Sequence, residues 1–290
     1  MVLIPPQFFD CVVTVGIQNK KQPGLFAWQA TGFLVGQPIR EIKEEDAVPK
    51  TLSLIYLVTN KHVFEHFEET GHESFAAGFN PQPAAKSEVA VYVSSLLKDG
   101  ERQWTGHHTE DVAVIPVNAP LLKQQGRQFE SFRLKANIWS VAKMKSEGVS
   151  EGDFVYILGY PMGIVDQDWH YPIVRSGSIA RIRDVLDGRR SLFLLDIQNF
   201  PGSSGSPVLI RPDITPVGGT QPANEPHVIG VVSAFIPCSD VVSNEDGQNW
   251  ELRQNSGLAI SVSSECILET IKEDFKKREQ LFRGSNAETR

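Results

Sequence analysis

The chain has 290 residues, of which 41% are hydrophobic, and it carries a formal net charge of −7 at pH 7. That length allows a full hydrophobic core, either as one large all-β domain or as two small barrels. The acidic balance argues against nucleic acid or an anionic membrane as the main partner, because both require a basic face.

The N-terminal segment has no basic region, and Pro5 and Pro6 stop its short apolar run, so the sequence as given predicts no secretory signal. No apolar run approaches the roughly 20 residues needed to cross a bilayer. The three cysteines, Cys11, Cys238 and Cys266, lie far apart in the sequence. This spacing argues against a disulfide framework and favours a reduced, cytoplasmic setting.

Short runs rich in β-branched and aromatic residues predict strands in the first half of the chain. These runs cover residues 8–17, 28–35, 53–59, 89–93 and 112–115. Residues 38–50 are acidic and bounded by prolines, and residues 65–86 contain Gly71, Gly78 and two prolines, so both stretches are predicted to be surface loops. Between residues 118 and 152 the pattern weakens, which predicts a connection between two barrels.

A second set of strands is predicted over residues 154–158, 173–182, 192–197, 208–210, 228–235 and 258–262. Many short strands with little helix predict closed antiparallel barrels. After Ser263 and Ser264, both candidate N-caps, the apolar spacing becomes helical, with Ile267, Ile271 and Phe275 on one face. We therefore expect a C-terminal helix that packs on a barrel, followed by a frayed tail.

A glycine- and serine-rich turn at residues 200–208 is the central candidate motif. It places the Ser204 hydroxyl on a tight turn whose glycines let backbone N–H groups face an approaching ligand. Turns of this composition are common, so the turn alone does not identify a nucleophile. A catalytic serine also needs a base that takes its proton and an acid that orients the base. His62 follows one predicted strand, and Asp111 precedes another, with Glu110 as the rival acid.

The order His62, Asp111 and Ser204 resembles that of the trypsin/chymotrypsin-like serine peptidases. Residues 59–63 and 202–208 are similar to bacterial glutamyl endopeptidases, and residues 152–163 and 256–260 to bacterial Deg-type protease domains. The resemblance implies that Ser204 attacks, His62 transfers the proton and Asp111 orients the imidazole, which is the division of labour in the triad of this family. It also implies an oxyanion hole at the backbone of Gly202, Ser203 and Ser204.

The implied fold is all-β, with two six-stranded antiparallel Greek-key barrels and a C-terminal helix. Residues 1–118 would form the barrel that carries the histidine and the aspartate, and residues 119–152 the connection. Residues 153–262 would form the barrel that carries the serine, and residues 263–290 the helix and tail. No cofactor is implied. His107 and His108 near Glu110 suggest a metal site, but no further Cys/His cluster supports one, so a polar loop is predicted.

The family pattern also implies a substrate pocket at Gln198, Val232, Ser233 and Ala234. Gln198 stands where an aspartate would select Arg or Lys, and Val232 stands where glutamyl endopeptidases place a histidine. We therefore expect a protein or peptide substrate with an uncharged residue before the scissile bond. Ser203 replaces the aspartate that pairs with the new N-terminus in trypsin-type activation, so that route is not expected.

The sequence leaves two explanations for how the loop that carries Ser204 becomes ordered. The loop is either permanently ordered, or it is ordered when an activating partner or ligand binds. An inhibiting protein is a further candidate partner. The competing function is a non-catalytic peptide-binding or regulatory barrel of the same fold. The intact set of His62, Asp111 and Ser204 argues against it. An α/β-hydrolase esterase is excluded because its histidine comes last in the chain, whereas here it comes first.

Overall fold

The structure, a computed structural model, describes residues 3–42, 50–81, 90–166, 169–212, 225–243 and 248–285. Two β-rich halves follow each other along the chain, and a long helix comes after the second. The predicted all-β class, with barrel-like sheets and a C-terminal helix, is confirmed.

The first half consists mainly of short strands. They are β1 (Val12–Gln18), β2 (Phe26–Ile42), β3 (Lys50–Thr59), β4 (Ser74–Pro81), β5 (Ala90–Ser95), β6 (Leu97–Lys98), β7 (Glu101–Arg102), β8 (Thr105–Gly106), β9 (Ala113–Pro116), β10 (Arg127–Gln128) and β11 (Phe132–Arg133). All except the small β6–β7 hairpin join one nine-stranded sheet along the path β10-β4-β1-β2-β3-β9-β8, with β5 on β4 and β11 parallel to β2. Two helices, α1 (Lys61–Glu69) and α2 (Ala119–Gln124), accompany the sheet.

This sheet is a half-barrel with more strands than the six that the resemblance implies. Two of the extra strands, β10 and β11, come from the segment predicted as a connection, and they pair with β4 and β2 respectively. The first predicted strand also begins later than expected, because a 3₁₀ helix at Pro6–Cys11 precedes β1. Proline at the first helical position is pre-organised for such a turn.

Both loop predictions in this half are wrong for the described residues. β2 continues to Ile42 and β3 starts at Lys50, while residues 43–49 lie outside the described chain. Pro38 is accommodated at a bulge in the β2–β3 ladder, where a missing N–H is tolerated. The stretch 65–86 contains most of α1 and all of β4, and residues 82–89 lie outside the described chain.

The second half is a closed six-stranded barrel in the order β12-β13-β14-β17-β16-β15. Its strands are β12 (Phe154–Gly159), β13 (Ile173–Arg181), β14 (Leu192–Asp196), β15 (Pro207–Ile210), β16 (His227–Ser243) and β17 (Asn249–Ser263). Helix α3 (Val141–Ser146) precedes the barrel, and α4 (Arg183–Leu186) follows β13. β16 and β17 extend well beyond the predicted strands and pair as far as Ser243 and Asn249.

Three apolar clusters form the core, one inside each half and one between them. The cluster between the halves brings together Phe33 of the first sheet, Leu158 of the second barrel and Ile271 of the C-terminal helix, all fully buried. Each such side chain contributes roughly 1.5–3 kcal/mol relative to an exposed one. The two halves and the C-terminal helix are therefore joined by a shared apolar interface.

The C-terminal helix, α5 (Ser264–Ser285), leaves the second barrel and packs back against the first half. Its residue Asp274 is 2% exposed, and the carboxylate accepts hydrogen bonds from Tyr56 Oη at 2.9 Å and Thr105 Oγ1 at 2.8 Å. Arg278, one turn later, pairs with the same carboxylate at 2.6 Å. Among the described residues, the structure contains no helix of the length and apolarity that a membrane crossing requires.

Candidate active site

His62 lies in the first turn of α1, directly after the buried strand β3. The helix forms here because Val63, Phe64 and Phe67 present one buried face, and Asn60 occupies the N-cap position. Backbone N–H groups in the first turn of a helix have no partner within the helix. The amide of His62 is one of them, and it donates to Asp111 Oδ1 at 3.0 Å.

Asp111 lies in the loop between β8 and β9 and holds His62 at a second point. Its Oδ2 is 2.7 Å from His62 Nδ1 and 2.5 Å from Ser233 Oγ. Burial raises the pKa of this carboxyl group, but the hydrogen bonds from His62 and Ser233 outweigh burial and leave the pKa below its ordinary value. The ionised carboxylate accepts the Nδ1 hydrogen, so the Nε2 lone pair of His62 is available for a proton.

The rival acid is not part of this arrangement. The Glu110 carboxylate receives a hydrogen bond from Thr109 Oγ1 at 3.4 Å, and it has none with His62 among the described residues. Asn60 instead supports the Asp111 loop, because its Nδ2 donates to the Asp111 carbonyl oxygen at 2.7 Å. The structure therefore brings His62 together with Asp111, as the sequence order suggested.

Ser204 follows a tight turn that requires a glycine, and a residue of the first half of the molecule forms hydrogen bonds to this turn. Pro201 and Gly202 occupy the central positions of a turn that the Ser203 amide closes on Phe200 O at 3.1 Å. A type II turn favours proline first and then a residue with positive φ, and Gly202 has a φ of 92°. Thr31 of β2 anchors the turn: its amide donates to Ser204 O at 2.9 Å, and its hydroxyl donates to Gly202 O at 2.8 Å.

Some of the backbone N–H groups near the Ser204 hydroxyl already donate to an acceptor within the protein, and others do not. The Ser203 N–H closes the turn, and the Gly205 N–H donates to Val232 O at 2.9 Å. Within the described part of the chain, no acceptor takes the N–H groups of Gly202 and Ser204. These two amides, out of the three predicted positions, are therefore the ones left to receive an oxyanion.

Ser204 and His62 are not hydrogen-bonded in this structure, as far as the described residues go. The Ser204 hydroxyl donates instead to the Ser233 carbonyl oxygen at 3.3 Å. Ser233 thus contacts both Ser204 and Asp111. Catalytic hydrogen bonds are often long or misaligned before substrate binds, so the absence of this bond does not exclude Ser204 as the nucleophile.

The predicted pocket residues occupy different environments. Gln198 and Ala234 are exposed, whereas Val232 is 0% exposed and packs in the core of the second barrel. The backbone of Val232 holds the Ser204 turn, since it accepts from Gly205 N and donates to Ser206 O, each at 2.9 Å. Ser233 contacts the Asp111 carboxylate, a role that sequence reasoning missed because nothing in the sequence places these two residues together.

His107, Cys266 and Glu269 offer ligand atoms that lie within 4.8 Å of one another. His107 Nδ1, however, already accepts the N–H of Glu110 at 2.9 Å, so the ring hydrogen of the neutral side chain is on Nε2. Burial raises the pKa of the Cys266 thiol to about 12, which keeps it protonated at neutral pH. These donors favour a hydrogen-bonded cluster over a metal centre, since metals need a free imidazole lone pair and a thiolate.

A cavity of about 790 Å³ lies elsewhere, between α5 and the segment before the second barrel. Its lining includes Ile138, Trp139 and Phe275 together with four lysines. None of the three candidate catalytic residues lines it. The cavity is therefore separate from the Ser204 turn and from the contact between His62 and Asp111.

The fold and this site define a trypsin-like serine peptidase architecture. The family model for the trypsin-like peptidase domain matches residues 30–217, well over half of the chain, and this span contains His62, Asp111 and Ser204. The chain belongs to that family. A comparison with curated proteins gives no significant match.

Proposed function

We propose that the protein is a serine endopeptidase that cleaves peptide bonds through an acyl-enzyme at Ser204. The observation that carries this proposal is the contact of 2.7 Å between His62 Nδ1 and Asp111 Oδ2, next to the Ser204 turn with its two free amides. Membership of the trypsin-like peptidase family supports the same reaction class.

In the proposed mechanism, Ser204 Oγ forms a bond to the carbonyl carbon of the substrate, and its proton moves to His62 Nε2. Asp111 stabilises the resulting imidazolium. The negative charge that develops on the carbonyl oxygen is received by the N–H groups of Gly202 and Ser204. His62 then protonates the departing amine as the C–N bond breaks. A water molecule, deprotonated by His62, finally releases the acyl group and restores the Ser204 hydroxyl.

The proposed specificity is for an uncharged side chain before the scissile bond. Gln198, Ser233 and Ala234 support it because none of them carries a charge that would select Arg, Lys or Glu, while the Val232 side chain is buried in the barrel core and offers no charge either. Profiling with a peptide library tests this preference. Strong selection for any of those three charged residues would contradict it.

The function itself is tested by hydrolysis of the same library by the wild type and by Ser204→Ala, His62→Ala and Asp111→Asn. Each substitution is expected to lower kcat by about a thousandfold or more, because triad members act as a unit. Ser206→Ala is a matched control, since Ser206 lies two positions away and is fully buried. Peptide binding without cleavage by the wild type would favour the alternative, a non-catalytic peptide-binding or regulatory barrel.

Two expectations about setting accompany this proposal. We propose a cytoplasmic location on the basis of the cysteine content, and all three cysteines are free thiols in the structure. We also propose control by a protein partner, because an active peptidase in a reducing cytosol would otherwise be a hazard. Fractionation of the native host and co-purification with tagged Ser204→Ala protein test these points. Recovery of the protein outside the cytosol, or without any stoichiometric partner, would contradict them.

A further inference from the structure

We propose that His107 is a positioning residue for Asp111, and that it couples the Asp111 loop to the C-terminal helix. The inference rests on the proposed function, in which Asp111 orients His62. It concerns a side chain that the family resemblance does not assign and that does not contact Ser204 or His62 in the described structure.

The buried side chain of His107 accepts hydrogen bonds from backbone N–H groups of the loop that carries Asp111. The side chain is 4% exposed, and Nδ1 accepts the N–H of Glu110 at 2.9 Å and that of Thr109 at 3.3 Å. The His107 backbone N–H donates to Val112 O at 2.8 Å and closes the base of the loop. Asp111 lies between Glu110 and Val112, so both of its neighbours in the chain are tied to His107.

The other ring nitrogen connects the loop to α5. His107 Nε2 donates to Glu269 Oε2 at 3.1 Å. Glu269 lies on the helix five residues before Asp274, whose buried carboxylate accepts from Thr105 Oγ1 on β8 at 2.8 Å. The helix therefore contacts the strand that enters the Asp111 loop and, through His107, the interior of the loop itself.

The position of Asp111 matters because its carboxylate makes three contacts at once, to the amide and Nδ1 of His62 and to Ser233 Oγ. A displacement of about 1 Å in a catalytic group can cost on the order of a hundredfold in rate. Loss of the acceptor at His107 Nδ1 would leave the partly buried amide of Glu110 without its partner, and the loop would move to solvate that amide.

Two substitutions of His107 test the contributions of its two ring nitrogens separately. In His107→Asn, the side-chain oxygen takes the place of Nδ1 and the acceptor for Glu110 is kept. In His107→Gln, the amide reaches toward Glu269, but no acceptor remains at the Nδ1 position. We expect His107→Asn to keep kcat within about threefold of the wild type, and His107→Gln to lower kcat by at least about tenfold with little change in KM.

A spectroscopic readout keeps this test independent of peptidase activity. The Nδ1–H proton of His62 should give a downfield ¹H NMR resonance because its hydrogen bond to Asp111 is short and charge-assisted. We expect this resonance to persist in His107→Asn and to move upfield or broaden in His107→Gln, with similar thermal midpoints in both variants. If the wild type cleaves no peptide and the resonance still responds in this way, the proposed function fails and the positioning role stands.

The proposal is overturned if the two variants have the same kcat and the same His62 resonance. If His107→Gln does not fold, Glu269→Ala and Glu269→Gln decide the matter. Glu269→Gln keeps an acceptor for Nε2 and should match the wild type. Glu269→Ala, unlike His107→Asn, keeps the imidazole and leaves its buried Nε2–H without an acceptor, so the ring should shift away from the Glu110 amide, move the resonance and lower kcat by about threefold or more. Wild-type behaviour of Glu269→Ala would then refute the coupling.

Discussion

His170 makes the stability of the molecule depend on pH. It is 4% exposed and lies between the two halves, where its Nδ1 is 3.2 Å from Thr14 Oγ1 and its backbone is bonded to Asn80. Burial lowers its pKa from 6.5 to about 4. The unfolded chain therefore binds a proton below about pH 6.5, whereas the folded protein does not bind it until about pH 4.

The sign follows from this difference in proton binding. Stability rises with pH wherever the unfolded state binds more protons, so the folded state loses stability as the pH falls from about 6.5 to about 4. At about 1.4 kcal/mol for each pKa unit, the full loss amounts to about 3 kcal/mol. Because His170 contacts both halves, acid should loosen the interface on which the candidate site depends.

The assay is urea denaturation of the wild type and of His170→Asn at pH 7.5 and pH 4.5. Asparagine keeps a polar atom near Nδ1 and cannot be protonated, so this variant should lose about 2–3 kcal/mol less than the wild type between the two pH values. His66→Asn, at an exposed position, is the matched control and should behave as the wild type does. Equal acid sensitivity of the wild type and His170→Asn would rule out His170 as the source of the pH dependence.

Two further substitutions test the architecture of the site. Ser233→Ala removes a hydrogen bond to the Asp111 carboxylate, so kcat/KM should fall by about tenfold or more, as is usual for bonds to charged groups; unchanged kcat/KM would contradict the role of Ser233. Gly205→Ala places a Cβ 2.0 Å from Thr31 O at a φ of 86°, which should displace the Ser204 turn and abolish hydrolysis. Gly188→Ala, also at positive φ but with nothing within 4 Å, should stay active, and equal activity of both glycine variants would argue against a crowded turn.

The order of the short apolar strands predicts that His62, Asp111 and Ser204 lie near one another, and the structure joins His62 to Asp111 directly and links Asp111 to Ser204 through Ser233. The sequence order does not show which other polar residues contact the candidate site. Ser233 and His107 act through contacts across more than a hundred residues of chain, to Asp111 and Glu269 respectively. Such contacts depend on how the halves and α5 pack, and no local pattern encodes them.

The strand β4 shows why a fold prediction from pattern fails locally. Its residues are nearly all buried on both faces, so the alternation that identifies a half-buried strand is missing. Glycine is usually a sign of a loop, but Gly78 lies in the strand because a larger residue would not fit. A Cβ at this position would lie 2.4 Å from Thr14 Oγ1. Conversely, the spacing of apolar residues in α5 predicts the helix correctly because its buried face repeats every three to four residues.

Labelling with a fluorophosphonate, followed by mass spectrometry of the peptide that carries the adduct, shows directly whether Ser204 is an activated nucleophile. We predict one stoichiometric adduct on Ser204, formed by the wild type and by Ser206→Ala. We also predict that His62→Ala and Asp111→Asn form the adduct much more slowly, because they lack the base or its orienting carboxylate. No adduct on Ser204 in the folded wild type, or labelling at equal rates in His62→Ala, would contradict an activated serine at this site.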